Sequence, residues 1–170
     1  TANSAPATAV VNVVNQAPTA HPGGPYTGTR LADVSFNGAA SSDPESDALT
    51  YAWNFGDGST GNGVSPTHRY AALGTFTVTL IVNDGSTSSA PVSTTVQIGN
   101  VGPAVALTSP AAGTVFTAPT NIQVSAAASD PDGAVSLVEF YAGATKIGEA
   151  TSAPYSFTWS GAAAGTYALT

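Results

Sequence analysis

Apolar and polar residues alternate over short stretches along most of this chain, which is the period of half-buried β-strands. Val34 and Phe36 alternate with polar neighbours. Tyr51, Trp53 and Phe55 share one face, with Ala52 and Asn54 on the other. Phe76, Val78, Leu80 and Val82 form a clean stripe with period two, and Val92, Thr94, Val96 and Ile98 predict a last strand. Pro-, Gly- and Asp-rich turns are expected between them, at 21–24, 41–47, 56–63 and 84–89. The second half repeats the plan. Strands are predicted around Val105 and Leu107, around Ile122, Val124 and Ala126, and around Val138 and Phe140. After a turn at Ala142-Gly143 they follow around Ile147, Phe157, Trp159, Tyr167 and Leu169. No stretch shows a capped helical period. Short strands at this spacing predict an all-β chain of immunoglobulin-like sandwiches.

An internal repeat gives the organisation. Asn15-Gln16-Ala17-Pro18 returns 85 positions on as Asn100-Val101-Gly102-Pro103, and Val11 and Val13 return at the same offset as Val96 and Ile98. Ser42-Asp43-Pro44-Glu45 returns 87 positions on as Ser129-Asp130-Pro131-Asp132. Gly74-Thr75-Phe76-Thr77-Val78-Thr79 returns 91 positions on as Gly165-Thr166-Tyr167-Ala168-Leu169-Thr170. Ordered matches with a slowly drifting offset predict tandem units. Residues 1–14 are expected to be a linker and the last strand of a preceding unit, with Ala9–Val14 matching Thr94–Gly99. Residues 15–99 are expected to be a whole sandwich. Residues 100–170 are expected to be a second sandwich lacking its last strand or strands. A start without Met and without a signal peptide's basic and apolar regions suggests an excerpt of something longer.

Composition narrows the partners. Of the 170 residues only 8% are charged, against a usual ~25%, and the net charge is −7. Arg30, Arg69 and Lys146 are the only cationic residues besides histidine. Such a surface repels phosphate backbones and anionic lipid, so neither nucleic-acid binding nor membrane insertion is expected. Divalent cations are the partners it attracts. Zero cysteines exclude disulfides and thiolate metal sites. No apolar run approaches the ~20 residues of a membrane-spanning helix. A monomer is expected.

Tyr51-Ala-Trp-Asn-Phe-Gly-Asp-Gly58 resembles the W-(D/N)-F-G-D-G signature of the PKD (polycystic kidney disease) domain. Asn15-Gln-Ala-Pro18, Gly24-Pro25-Tyr26, Ser42-Asp43-Pro44-Glu45, Pro66-Thr-His-Arg-Tyr70 and Gly74-Thr-Phe-Thr-Val78 extend the resemblance over residues 15–99. Residues 103–170 resemble a bacterial immunoglobulin-like module through Ser129-Asp130-Pro-Asp-Gly133, Val138-Glu-Phe-Tyr141, Ala153-Pro-Tyr-Ser-Phe-Thr-Trp159 and Ala164-Gly-Thr-Tyr167. The resemblance implies a non-catalytic module of an extracellular or cell-surface protein, spacing or presenting its neighbours in the chain. The alternative it implies is an accessory module that binds insoluble polysaccharide or a collagen-like protein for a secreted hydrolase.

Little points to catalysis. His21 precedes Pro22 in a turn, and His68 falls on the family motif, where a structural role in an edge strand is expected. No G-x-S-x-G, G-x-x-x-x-G-K-[ST] or H-E-x-x-H motif is present. Asp43, Glu45 and Asp47 are close in sequence, as are Asp130 and Asp132, but a glycosidase pair needs a deep cleft that sandwich loops rarely offer. Calcium suits them better, because it takes several carboxylate and carbonyl oxygens at ~2.3–2.6 Å from irregular loops.

In a sandwich of this kind the lead-in segment, the loop after the second strand and the loop before the last strand meet at one end. That predicts Asn15, Asp43 and Asp84 close together, with Glu45 or Asp47 nearby. PKD relatives that bind calcium use acidic residues in the corresponding loops. Here Glu45 stands where Asp is usual, and the Gly that follows is missing. The competing reading is that Asp43-Pro44 is simply an Asx-turn. Asn100, Asp130 and Asp132 form the corresponding candidate set in the second unit, where calcium would stiffen the junction. Trp53 and Trp159 are expected in the cores by phase. Tyr26, Tyr70, Tyr141 and Tyr155 are candidates for exposure, although tyrosines at strand ends usually pack.

Overall fold

A computed structural model describes residues 8–170, so residues 1–7 of the expected lead segment lie outside the described residues. The chain divides into two compact units, one ending at Gly99 and the other beginning at Asn100. Among the described residues every regular element is a strand.

The first unit holds β1 (Tyr26–Thr29), β2 (Asp33–Ser35), β3 (Thr50–Asn54), β4 (Thr60–Asn62), β5 (Thr67–Arg69), β6 (Gly74–Asn83) and β7 (Val92–Gly99). One sheet runs β1-β7-β6-β3-β4 and the other pairs β2 with β5. All pairings are antiparallel except β1 with β7, where Tyr26 faces Val96 and Thr29 faces Gly99 in parallel register. The alternation seen in the sequence fills the core. Val34 and Phe36 from one sheet meet Trp53, Phe55, Val78, Leu80, Val82, Val96 and Ile98 from the other, with Tyr70 and Ala20 closing the ends. Aromatic edges and faces interlock there, with Phe36 centred 4.8 Å from Tyr26 and 5.1 Å from Phe55. Offset contacts of this kind add ~0.5–1.5 kcal/mol beyond area burial.

Two departures from the sequence pattern stand out. The expected turn at 56–63 contains β4, a short strand of Thr, Gly and Asn with no apolar period to announce it. Its Gly61 lies under the Phe55 ring, where only a residue without Cβ fits. Tyr70 and Tyr155 are buried rather than exposed. Each hydroxyl finds a backbone carbonyl: Tyr70 donates to Phe55 O at 3.0 Å and Tyr155 to Val135 O at 2.9 Å. Such pairing is what lets a phenol go inside.

The second unit holds β8 (Ala104–Ser109), β9 (Thr120–Ser129), β10 (Val138–Ala142), β11 (Thr145–Ala150) and β12 (Tyr155–Ala162). They form a three-stranded sheet, β12-β9-β8, and a β10–β11 hairpin. Residues 168–170 lie antiparallel along the second edge of β10, through the Ala142–Leu169 bridge and two hydrogen bonds between Tyr141 and Thr170. Ile122, Val124, Val138, Phe140, Tyr155 and Ala162 form the buried centre, with Trp159 half-buried against it. Glu139 and Glu149 stand directly opposite each other across the hairpin. Lys146 bridges them at 2.6 Å to each, which turns a like-charge cross-strand pair into a favourable one.

Candidate functional site

Among the described residues the candidates lie around the lead-in segment of each unit, linked by backbone and amide hydrogen bonds rather than by converging carboxylates. In the first, Asn15 Nδ2 donates to Asp84 Oδ2 at 2.8 Å and to Thr87 Oγ1 at 3.3 Å. The next residue reaches a different loop: the Gln16 backbone N–H and Nε2 donate to the Glu45 carboxylate at 3.4 and 3.3 Å. Two loops remote in sequence are thereby tied to the lead-in segment. Asp84 caps its own hairpin, accepting from the N–H groups of Ser86 and Thr87 at 2.6 Å each. The Asn15 hydrogen bond, then those from Thr87 and Ser86, hold its carboxyl below the ordinary value.

Asp43 organises the second loop. Its Oδ1 accepts from the N–H groups of Glu45 at 3.0 Å and Asp47 at 3.1 Å, which is the expected Asx-turn. Its Oδ2 is buried with no hydrogen-bond partner. A buried lone acceptor is costly. The missing Gly also has a visible cost, since Ser46 occupies that place with φ +67°, a region that favours glycine. Asp47 brings its N–H to the loop, and its side chain is exposed.

The second unit repeats the arrangement. Asn100 Nδ2 donates to Val101 O at 2.9 Å, just as Asn15 Nδ2 donates to Gln16 O at 3.0 Å. Asp130 Oδ1 accepts from Asp132 N at 3.1 Å, as Asp43 Oδ1 does from Glu45 N. The Asp132 carboxylate takes the Val101 N–H, as Glu45 takes that of Gln16. Asp132 is only 4% exposed. Gly133 is required here for room rather than for φ, because a Cβ would stand 2.8 Å from Asp130 Oδ2.

Asn15, Asp43, Glu45 and Asp84 are thus joined through one lead-in, and Asn100, Asp130 and Asp132 through another. The sequence reading missed Gln16 and Thr87, although Gln16 sits beside the repeated Asn. Among the described residues no group of three or more His, Cys, Asp or Glu side chains converges. The donors are oxygens spread over separate loops, mixed with amides.

The Trp53–Gly58 signature proves to be a folding device. Asn54 Oδ1 caps Gly56 N at 2.9 Å, and Asp57 Oδ1 caps Ser59 N at 3.0 Å. His68 Nε2 donates to Asp57 Oδ2 at 2.7 Å, and its ring stacks on Phe55 with centroids 4.3 Å apart. Burial alone would raise the Asp57 carboxyl. The His68 hydrogen bond, the Ser59 N–H and the nearby imidazole charge outweigh it, and the carboxyl lies below its ordinary value. A carboxylate whose folded value is lowered stabilises the fold above its unfolded value of ~3.9. That contribution is lost as pH falls through the folded value. The first unit is therefore expected to weaken on acidification in this range. Asp57→Asn should flatten that part of a stability-versus-pH curve from urea titrations; an unchanged slope would contradict the assignment.

Two successive immunoglobulin-plan sandwiches, each fastened at its start by an Asn and an Asp-Pro-acid loop, define a modular, repeat-built β-protein. Comparison with known proteins is specific. Residues 15–98 match the PKD domain family and residues 103–170 the bacterial Ig domain family; the chain belongs to these families, a PKD domain followed by a bacterial Ig-like domain. Collagenase ColQ1 of Bacillus cereus (strain Q1) is 37% identical over 89 residues, which is 51% of this chain and 9% of that protein. A microbial collagenase of Vibrio alginolyticus is 36% identical over 69 residues, 41% of this chain and 8% of that protein. The chain therefore spans under a tenth of these relatives. Among solved structures, the PKD1 domain of Vibrio anguillarum Epp is 30% identical, with a TM-score of 0.41, covering 51% of this chain and all of that one. Both units belong to families of non-catalytic accessory modules. Among the described residues no helix is long and apolar enough to cross a membrane.

Proposed function

We propose that this chain is a spacer and presentation region of a secreted or cell-surface multidomain hydrolase, with calcium fastening the start of each unit. The observation that carries the spacer reading is where the aromatic residues go. Trp53, Phe36, Phe55 and Tyr70 are spent inside the first core. In the second unit Trp159 meets Tyr167 edge to face at 81°, which gives no flat platform for a sugar ring or a collagen strand. The collagenase relatives support a protein-degrading parent and an extracellular location.

Calcium is supported by the chemistry of the donors, hard oxygens on irregular loops, and by the orphaned Oδ2 of Asp43, an acceptor without a positive partner. The carboxylates do not converge among the described residues, so binding requires the loops to close on the ion. Asn15, Asp43, Glu45 and Asp84 would hold an ion in the first unit, and Asn100, Asp130 and Asp132 in the second. Asp47, with its side chain exposed, would be an outer ligand. The ion would supply charge neutralisation in a chain of net charge −7 and so hold the lead-in against the loops.

Melting followed in calcium and in chelator tests this. Calcium should raise the melting temperature by mass action, and Asp43→Ala or Asp84→Ala should abolish the rise in the first unit; superimposed curves would remove calcium from the proposal. Sedimentation with insoluble collagen, chitin and cellulose tests spacing against binding. The chain should stay in the supernatant. Retention on any of the three would replace the spacer with an accessory binding module for that polymer.

A further inference from the structure

An asparagine followed by glycine can react with its own backbone. The glycine nitrogen has no neighbouring Cβ to block its approach to the asparagine side chain, and its backbone turns freely. The first unit contains this pair twice, as Asn37-Gly38 and Asn62-Gly63, and residues 100–170 do not contain it. The fold treats the two copies in opposite ways.

Asn37-Gly38 is held shut. The Asn37 N–H donates to the Tyr26 hydroxyl at 3.0 Å, and Asn37 Oδ1 accepts from Ala39 N at 2.9 Å. Gly38 is buried, and its N–H donates to Val64 O at 2.8 Å. Atoms of Trp53, Tyr51 and Leu80 stand 3.1 to 3.2 Å from the place a Cβ on Gly38 would take, so this backbone has no room to turn.

Asn62-Gly63 lies at the end of β4, a three-residue strand on the edge of its sheet. Asn62 is exposed, and among the described residues its carboxamide has no hydrogen-bond partner. Gly63 has φ +92° and open space around it. Its N–H is held by a long hydrogen bond to Tyr51 O, at 3.3 Å. Local opening costs least at such an edge and most in the core.

We propose that Asn62 is a self-modification site, at which the exposed amide is converted to an acid by the Gly63 nitrogen and water. The deprotonated Gly63 nitrogen attacks Asn62 Cγ. The new N–Cγ bond forms as the Cγ–NH2 bond breaks, and ammonia leaves with the proton that Gly63 gave up. Water then opens the cyclic succinimide at one or the other carbonyl–nitrogen bond. One product is a normal aspartyl link; the other is isoaspartyl, with the main chain running through Cγ. The isoaspartyl link adds a methylene to the backbone beside the Ala52–Asn62 pair. It also moves Gly63 O, which accepts the Trp53 indole N–H at 2.9 Å. A slow reaction on the surface thereby reaches the centre of the core, because a buried indole N–H left without its acceptor is costly. The first unit carries a one-way timer that loosens β4.

Ageing the full chain in mildly alkaline buffer, folded and in concentrated urea, with peptide mapping by mass spectrometry, reads this directly. In the folded chain Asn62 should convert roughly tenfold or more faster than Asn37, the difference between an edge and a closed core site. In urea the two should convert alike. Asn62→Gln sets the side-chain carbonyl one methylene too far for the ring; it should melt as the parent does and stay unmodified. The Trp53 indole N–H should exchange faster in the aged parent and not in aged Asn62→Gln. Equal rates at the two sites in the folded chain would overturn the proposal. So would an Asn62 that stays intact there while the urea-treated chain converts, or the same preference for Asn62 in urea, which would place it in the local sequence. An unchanged indole N–H in a converted chain would overturn the link to the core.

Discussion

Trp53→Ala is expected to cost ~3–5 kcal/mol, the usual penalty for emptying a large aromatic site, and to do so in the first unit alone. The indole is 2% exposed and spans the middle of the core. Gly38 lies against its ring, so the backbone there has no side chain of its own to fill the void. Its Nε1 donates to Gly63 O at 2.9 Å, tying β3 to the turn after β4. Trp53→Phe should retain part of the packing and lose the hydrogen bond, falling between parent and Ala. Urea unfolding with far-ultraviolet detection measures both. A loss below ~1 kcal/mol, the level of an ordinary surface substitution with some margin, would place the indole outside the core and reopen the binding reading.

Gly56→Ala should be of similar size for a different reason. Gly56 has φ +83°, and an added Cβ would collide with the Thr77 carbonyl of the neighbouring strand. The left-handed backbone costs ~1–2 kcal/mol for a residue with a side chain, and the collision adds ~1–3 kcal/mol of overpacking that backbone atoms cannot relieve. Gly58, two residues on, has φ +94° and open space around it. Gly58→Ala should therefore cost only the backbone part, ~1–2 kcal/mol. The comparison separates crowding from conformation within one short turn. Equal losses at the two positions would mean that the close approach of Gly56 to β6 is not tight in solution.

The alternating stripes announced β3, β6, β7, β9 and β10 because each puts one face into a core. Strands with no such face were harder to read. β4 is Thr-Gly-Asn, and nothing in its side chains distinguishes it from a turn; its pairing is dictated by β3 alone. β1 carries Gly28 where Val34 and Ile98 press close, so its defining feature is a missing side chain. The candidate site was legible through the repeat, since Asn15 and Asn100, and Asp43 and Asp130, do the same work in both units. Its fine structure was not. That Asp84 would take Asn15 while Glu45 took Gln16 depends on loop geometry, which no spacing encodes. Nor did the charge pattern reveal that Asp132 goes inside, because burial of a carboxylate depends on groups such as the Val101 N–H, which loop geometry brings to it.

The one parallel pairing of the first unit has a mechanical meaning. Beyond the lead-in, tension on the chain pulls β1 from its Tyr26 end and β7 from its Gly99 end, in opposite senses along two strands that run side by side. The hydrogen bonds between them lie across the pull and are strained together, rather than opened one after another as in a hairpin peeled from its tip. A module loaded in this way resists stretching through the direction of loading as well as through its thermodynamic stability. It would behave as a stiff tether between whatever it joins, yielding abruptly at a threshold force and scarcely extending below it.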